Sequence, residues 1–169
     1  MIREMQYETL VSKMNLCYTH KQEIRMVGEG VIEMKELTVD AVVGNIETIT
    51  DFINAELELL DCPMKAQIQI DVAIDELFGN IAHYAYGNVP GKATVQIAFD
   101  GASRTVTLTF IDSGTPFDPL KKTDPDTTLS AQERSIGGLG IFLVKKSMDH
   151  MEYRYQDGHN ILSITKKLG

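Results

Sequence analysis

Apolar and polar side chains alternate from Lys35 to Ala41, with Leu37, Val39 and Ala41 on one side, and this predicts a half-buried strand. After Gly44 and Asn45 the period changes. Ile46, Ile49, Phe52, Ile53, Leu57 and Leu60 recur at three and four residues, the spacing of an amphipathic helix. Pro63 breaks that series and suits the first turn of a second helix. Ile70, Ala73, Ile74, Leu77, Phe78 and Ile81 then extend a wide apolar face to about Tyr86, where the turn residues Gly87, Asn88, Pro90 and Gly91 end it. Alternation returns in Ala93–Phe99 and Thr105–Ile111, joined by Asp100, Gly101, Ala102 and Ser103 as a hairpin turn. Ser113 to Gly138 is a long connection rich in Pro, Asp, Thr and Gly, a length that points to a functional lid. Leu139–Asp149 reads as a third helix, and Met151–Gln156 and Asn160–Lys166 as closing strands around Asp157 and Gly158. Together these elements predict an α+β fold, with helices on one face of a mainly antiparallel sheet.

Residues 1–33 lack a sustained period. Met5, Leu10 and Met14 are loosely spaced for one face of a short helix over Ile2–Leu16. The domain pattern starts near Met34, which divides the chain into an N-terminal extension, 1–33, and a domain, 34–169. A purine-rich run can encode Gly28, Glu29 and Gly30 just ahead of Met34, making Met34 a candidate start residue.

The chain has 169 residues, enough for one domain with a proper core. Its net charge of −8 argues against direct nucleic-acid binding, which needs clustered Lys and Arg, and suits a protein partner with a basic surface. Cys17 and Cys62 are too few for a disulfide scaffold and lack metal-binding spacing, so a reducing cytoplasm is expected. No apolar run is long enough for a membrane span.

Three short stretches carry candidate chemistry. Glu76 and Asn80, at i and i+4, share one helix face. Such a pair is either a solvated surface or a Mg²⁺ ligand beside a carboxylate able to polarise a hydroxyl. Asp112 closes a strand and precedes Ser113 and Gly114, which is either a plain turn or an acceptor for the exocyclic amine of a base approached closely by glycine backbone. Gly137, Gly138 and Gly140 run into a helix start, as a flexible loop end or as a phosphate seat. Arg134 precedes them, either on the surface or near a terminal phosphate. His83, one turn beyond Asn80, borders the same region or packs near Tyr84 and Tyr86. No Walker-type P-loop or dinucleotide fingerprint occurs, and no nucleophile–His–acid arrangement is evident.

In combination, Asp75 to Asn80, Asp112 to Phe117 and Gly137 to Gly140 resemble the N, G1 and G2 boxes of the GHKL ATPase superfamily. Asp75–Tyr86 and Glu133–Asp149 resemble more closely the anti-sigma factor serine kinases, and the similarity covers about Met34 to Lys167. The resemblance implies a Bergerat-type two-layer α/β sandwich with a mainly antiparallel mixed sheet. It implies ATP and Mg²⁺ as cofactors, Glu76 as general base and Asn80 as the Mg²⁺ ligand. Asp112 would bind adenine, with Gly114 at the close-approach position. Gly138, Gly140 and Arg134 would serve the phosphates. A late-strand Thr near adenine has Thr165 as its candidate. Pro116 stands where the general G1 pattern has a glycine, a form found within this branch. The implied activity is phosphorylation of a STAS-domain anti-anti-sigma protein by a cytoplasmic homodimer, with a sigma factor as competitor. A catalytically inactive ATP-binding module that sequesters a partner is the alternative. A histidine kinase is disfavoured because His20 does not sit in a phospho-acceptor motif.

Overall fold

The computed structural model describes residues 19–27, 30–121 and 139–169. The suggested helix over Ile2–Leu16, and most of the lid, lie outside the described residues. Strands β1 (Thr19–Val27) and β2 (Gly30–Asp40) are followed by helices α1 (Ile46–Leu59) and α2 (Met64–Asn80). Strands β3 (Lys92–Asp100) and β4 (Thr105–Asp112) come next, then α3 (Leu139–Ser147), β5 (His150–Gln156) and β6 (His159–Lys167). The six strands form one sheet in the order β1-β2-β3-β4-β6-β5, and each of these pairings is antiparallel.

Period-two patterning explains why one face is covered. Leu37, Val39, Val95, Ile97, Leu108, Phe110 and Ile164 point to the helices and are buried. They meet Ile49, Ile53 and Leu57 of α1 and Ile70, Ile74, Leu77 and Phe78 of α2. The opposite face is polar. There Thr38 bonds Thr94 (2.7 Å), Thr109 bonds Ser163 (3.0 Å), and Gln96 Nε2 donates to Glu36 Oε2 (2.8 Å). One charged pair enters the covered layer: Lys35 Nζ reaches Glu56 Oε2 at 2.7 Å, tying β2 to α1. Removing either partner would strand a desolvated charge, so the pair favours this docking of α1 over others.

Two local features differ from the sequence expectation. Thr19–Val27 is a strand, paired residue for residue along β2, so the division at Met34 falls inside β2. Helix α2 also stops at Asn80 and continues as a wider π-type turn, Ile81–Ala85, rather than running α-helical to Tyr86. Such turns often mark sites where backbone groups are redirected. At the far hairpin, Asp157 (φ 52°) and Gly158 (φ 81°) both adopt positive φ, and Gln156 pairs with His159. This is the two-residue turn that an Asp-Gly pair favours. Among the described residues no helix is long and apolar enough to cross a membrane.

Candidate functional site

The end of α2, the end of β4 and the start of α3 meet around a cavity of ≈ 170 Å³. That volume is below the ~300 Å³ that encloses a drug-sized ligand, so the cavity suits one ring system with the rest of the molecule outside. Leu77, Ile81, Phe110, Ile141 and Leu162 supply apolar walls, while Asn80, Asp112 and Asn160 supply polar groups.

Asp112 is buried, at 6% exposure, because it is in phase with Val106, Leu108 and Phe110 on the covered face of β4. Its Oδ1 accepts hydrogen bonds from Gly114 N (2.8 Å) and Asn160 Nδ2 (2.9 Å). With Oδ1 occupied, Oδ2 is the oxygen left to a ligand. Asn160 is also 6% exposed and is saturated. Its Oδ1 accepts from Tyr153 Oη (2.6 Å) and Phe117 N (3.1 Å), and its Nδ2 donates also to Thr115 O (3.2 Å). Every donor and acceptor of the carboxamide is committed, so Asn160 positions Asp112 and the following loop. Burial raises the Tyr153 phenol pKa, reinforced by the nearby acids Asp118 and Asp112, and keeps it a neutral donor.

The register between β4 and β6 corrects one expectation. Asn160 pairs with Asp112, whereas Thr165 pairs with Thr107, five residues away. Five residues of strand span roughly 17 Å. Thr165 is also out of phase with the buried Leu162 and Ile164, so it lies on the polar face of the sheet. The late-strand partner of Asp112 is therefore Asn160. The sequence signal was available: Asn160, Leu162 and Ile164 share one parity, and a polar residue in a buried phase requires partners.

Gly114 is packed against the redirected turn. A Cβ there would collide with the Ala85 carbonyl, which accepts a hydrogen bond from Thr115 N (2.8 Å). Close approach to protein backbone is what this glycine visibly permits. Tyr86 fixes the same loop: Ser113 N donates to its Oη (2.8 Å), which donates to Lys92 O (2.6 Å). Burial raises the Tyr86 phenol pKa despite the bond from Ser113. We expect Tyr86→Phe to raise the KM of a nucleotide substrate about fivefold, the equivalent of one lost hydrogen bond, with a smaller change in kcat. Steady-state kinetics would check this; an unchanged KM would mean that the loop is held adequately without the hydroxyl.

The end of the site opposite Asn160 is built from α2 and α3. Asn80 Nδ2 donates to the Glu76 carbonyl one turn back (2.6 Å), which leaves Oδ1 as the oxygen available to a cation. The Glu76 side chain is half-buried and stands against Gly140, where any Cβ would fall on its carboxylate. Glycine thus lets the first turn of α3 approach the carboxylate. Arg134 and Gly138 lie outside the described residues. Among the described residues no cluster of three His, Cys, Asp or Glu could hold a metal alone. A Mg²⁺ ion, which keeps waters and takes phosphate oxygens, fits a single Asn Oδ1 in that setting.

The geometry therefore combines a ring-sized apolar cavity with a buried acid at its base and a carboxylate–carboxamide pair at its mouth. A family model described as the histidine kinase-like ATPase domain matches residues 39–166. The serine/threonine-protein kinase BtrW of Bordetella bronchiseptica is 28% identical over 102 residues, covering 60% of this chain and 70% of that protein.

Proposed function

From a chain that belongs to the histidine kinase-like ATPase domain family, we infer an ATP-dependent serine/threonine protein kinase of the anti-sigma factor type, acting on a STAS-domain protein. The observation that carries this function is the half-buried Glu76 carboxylate, one turn from Asn80 and against the first turn of α3. A carboxylate so placed serves as a base at the phosphate end of the site, apart from the groups lining the ring cavity. The relative named a serine/threonine-protein kinase supports the same activity.

The chain's own residues divide the work. Asp112 Oδ2 accepts the exocyclic amine of adenine, and Leu77, Ile81, Phe110, Ile141 and Leu162 surround the ring. The amides opening α3 face the phosphates with the positive end of the helix, joined by Gly138 and Arg134 from the lid. Asn80 Oδ1 would hold Mg²⁺, which supplies charge neutralisation on the phosphates. Glu76 takes the proton from a seryl hydroxyl of the partner as that oxygen attacks the γ-phosphorus, and the bond to the ADP oxygen breaks. The remaining proposed features are a homodimer and a sigma factor competing with the STAS protein for the kinase.

The direct test incubates the protein with radiolabelled ATP, Mg²⁺ and a STAS protein encoded nearby. Label should appear on a serine of the STAS protein. Tight ATP binding with no label on such a partner would replace the kinase by the sequestering, inactive module.

A further inference from the structure

The outward face of α2 is apolar where a solvated helix should be polar. Met64 is 75% exposed, Ile68 55% and Val72 40%. These residues lie at i, i+4 and i+8, a continuous stripe of roughly 12 Å on the side of α2 away from the sheet. Leu59, at the adjoining end of α1, is 52% exposed and extends the apolar area. Isolated exposed apolar residues need no explanation, but a stripe at helical spacing does.

The surroundings of the stripe specify its chemistry. Helices α1 and α2 carry Glu47, Asp51, Glu56, Glu58, Asp71, Asp75 and Glu76, against a single cation, Lys65. Glu56 is neutralised by Lys35; Glu47, Asp51, Glu58 and Asp75 are exposed. Asp71 is engaged with α1 and is not offered to a docked segment. Its Oδ1 is buried without a hydrogen-bond partner, and its side chain otherwise interacts with Asn54 of α1, which also accepts from Gln67 Nε2 (3.0 Å). Burial, with Asp75 nearby, raises the Asp71 pKa.

We propose that the outward face of α2 docks a basic amphipathic segment of a protein partner, with apolar anchors on Met64, Ile68 and Val72 and an Arg or Lys bonded to the exposed Asp75. Helix-in-face recognition uses the i, i+4, i+8 spacing, and charge complementarity sets the partner's sign. An anionic membrane or a nucleic acid would meet like charge here. The surface is carried by the fold alone, so it stands or falls independently of the kinase activity.

The probe is a fluorescent synthetic peptide of about 14 residues, with Leu on one helical face and Arg or Lys on the other, compared with a scramble of identical composition. Anisotropy titration should give at least tenfold tighter binding of the amphipathic peptide than of the scramble. Ile68→Ser should remove that preference, and Asp75→Lys should weaken binding by tenfold or more with a shallower salt dependence. Lys65→Glu should strengthen binding. All three positions are exposed, and an unchanged melting temperature would confirm that the fold is retained. Equal affinity for both peptides would overturn the proposal, as would indifference to Ile68→Ser. Two further results would also overturn it: self-association in sedimentation velocity that Ile68→Ser abolishes, or binding to phosphatidylserine vesicles in preference to the peptide.

Discussion

Replacing Asp112 by Asn should lower ATP affinity by about two orders of magnitude while leaving the melting temperature nearly unchanged. The substitution keeps the shape of the side chain. Its Oδ1 can still accept from Gly114 N and Asn160 Nδ2, so the network joining β4, β6 and the loop persists. What changes is the second position, where an acceptor oxygen becomes an amide donor facing the donor amine of adenine. Loss of a hydrogen bond to a charged group costs about 1.5–3 kcal/mol, and a donor opposed to a donor adds to that. At 1.4 kcal/mol per decade, roughly a hundredfold weakening follows. Asp112→Ala is a poorer test, because it also leaves Asn160 Nδ2 without its acceptor and disturbs Phe117 and Tyr153 through the same carboxamide. Isothermal titration calorimetry decides the matter. ATP affinity within threefold of the parent protein would remove Asp112 from the adenine pocket.

Much of this was written in local patterns. The alternation in Lys35–Ala41 and Thr105–Ile111, the helical period from Ile46 to Leu60 and the Asp157-Gly158 turn each encode a short-range preference that packing then reinforces. Asp112 was legible because a carboxylate closing a strongly apolar strand stands out. Other features depended on distant parts of the chain. In strand β1 the apolar alternation is confined to Ile24 and Met26 around Arg25, too short to predict a strand by itself; its extended form is fixed by pairing with β2. The partner of Asp112 depends on the β4–β6 register, which sets Asn160 opposite it and leaves the late-strand candidate Thr165 on the other face of the sheet. Gly114 is legible as a close-approach glycine and Gly140 as a phosphate-seat glycine, but what a side chain at either would strike is protein, the Ala85 carbonyl and the Glu76 carboxylate. Sequence marks where a side chain is forbidden; only the fold tells what forbids it.

The same distinction separates nucleotide binding from catalysis at Glu76. Glu76→Gln should slow phosphate transfer by about 10²–10⁴-fold, the range expected when a general base is removed. ATP affinity should change by no more than about threefold, because Glu76 does not line the ring cavity and Gln still fits against Gly140. Stability should also hold. The residue is half-buried, Gln matches Glu in helix propensity, and the carbonyl that accepts from Asn80 belongs to the backbone. Single-turnover transfer from pre-bound ATP isolates the chemical step, since a defect there cannot come from binding. Loss of transfer with binding retained would identify the carboxylate as the group that takes the seryl proton. A large loss of ATP affinity with transfer from bound nucleotide intact would assign Glu76 to holding the phosphate end of the site. Transfer unchanged at saturating ATP would leave the hydroxyl without a base on α2, and the kinase mechanism would need another acceptor.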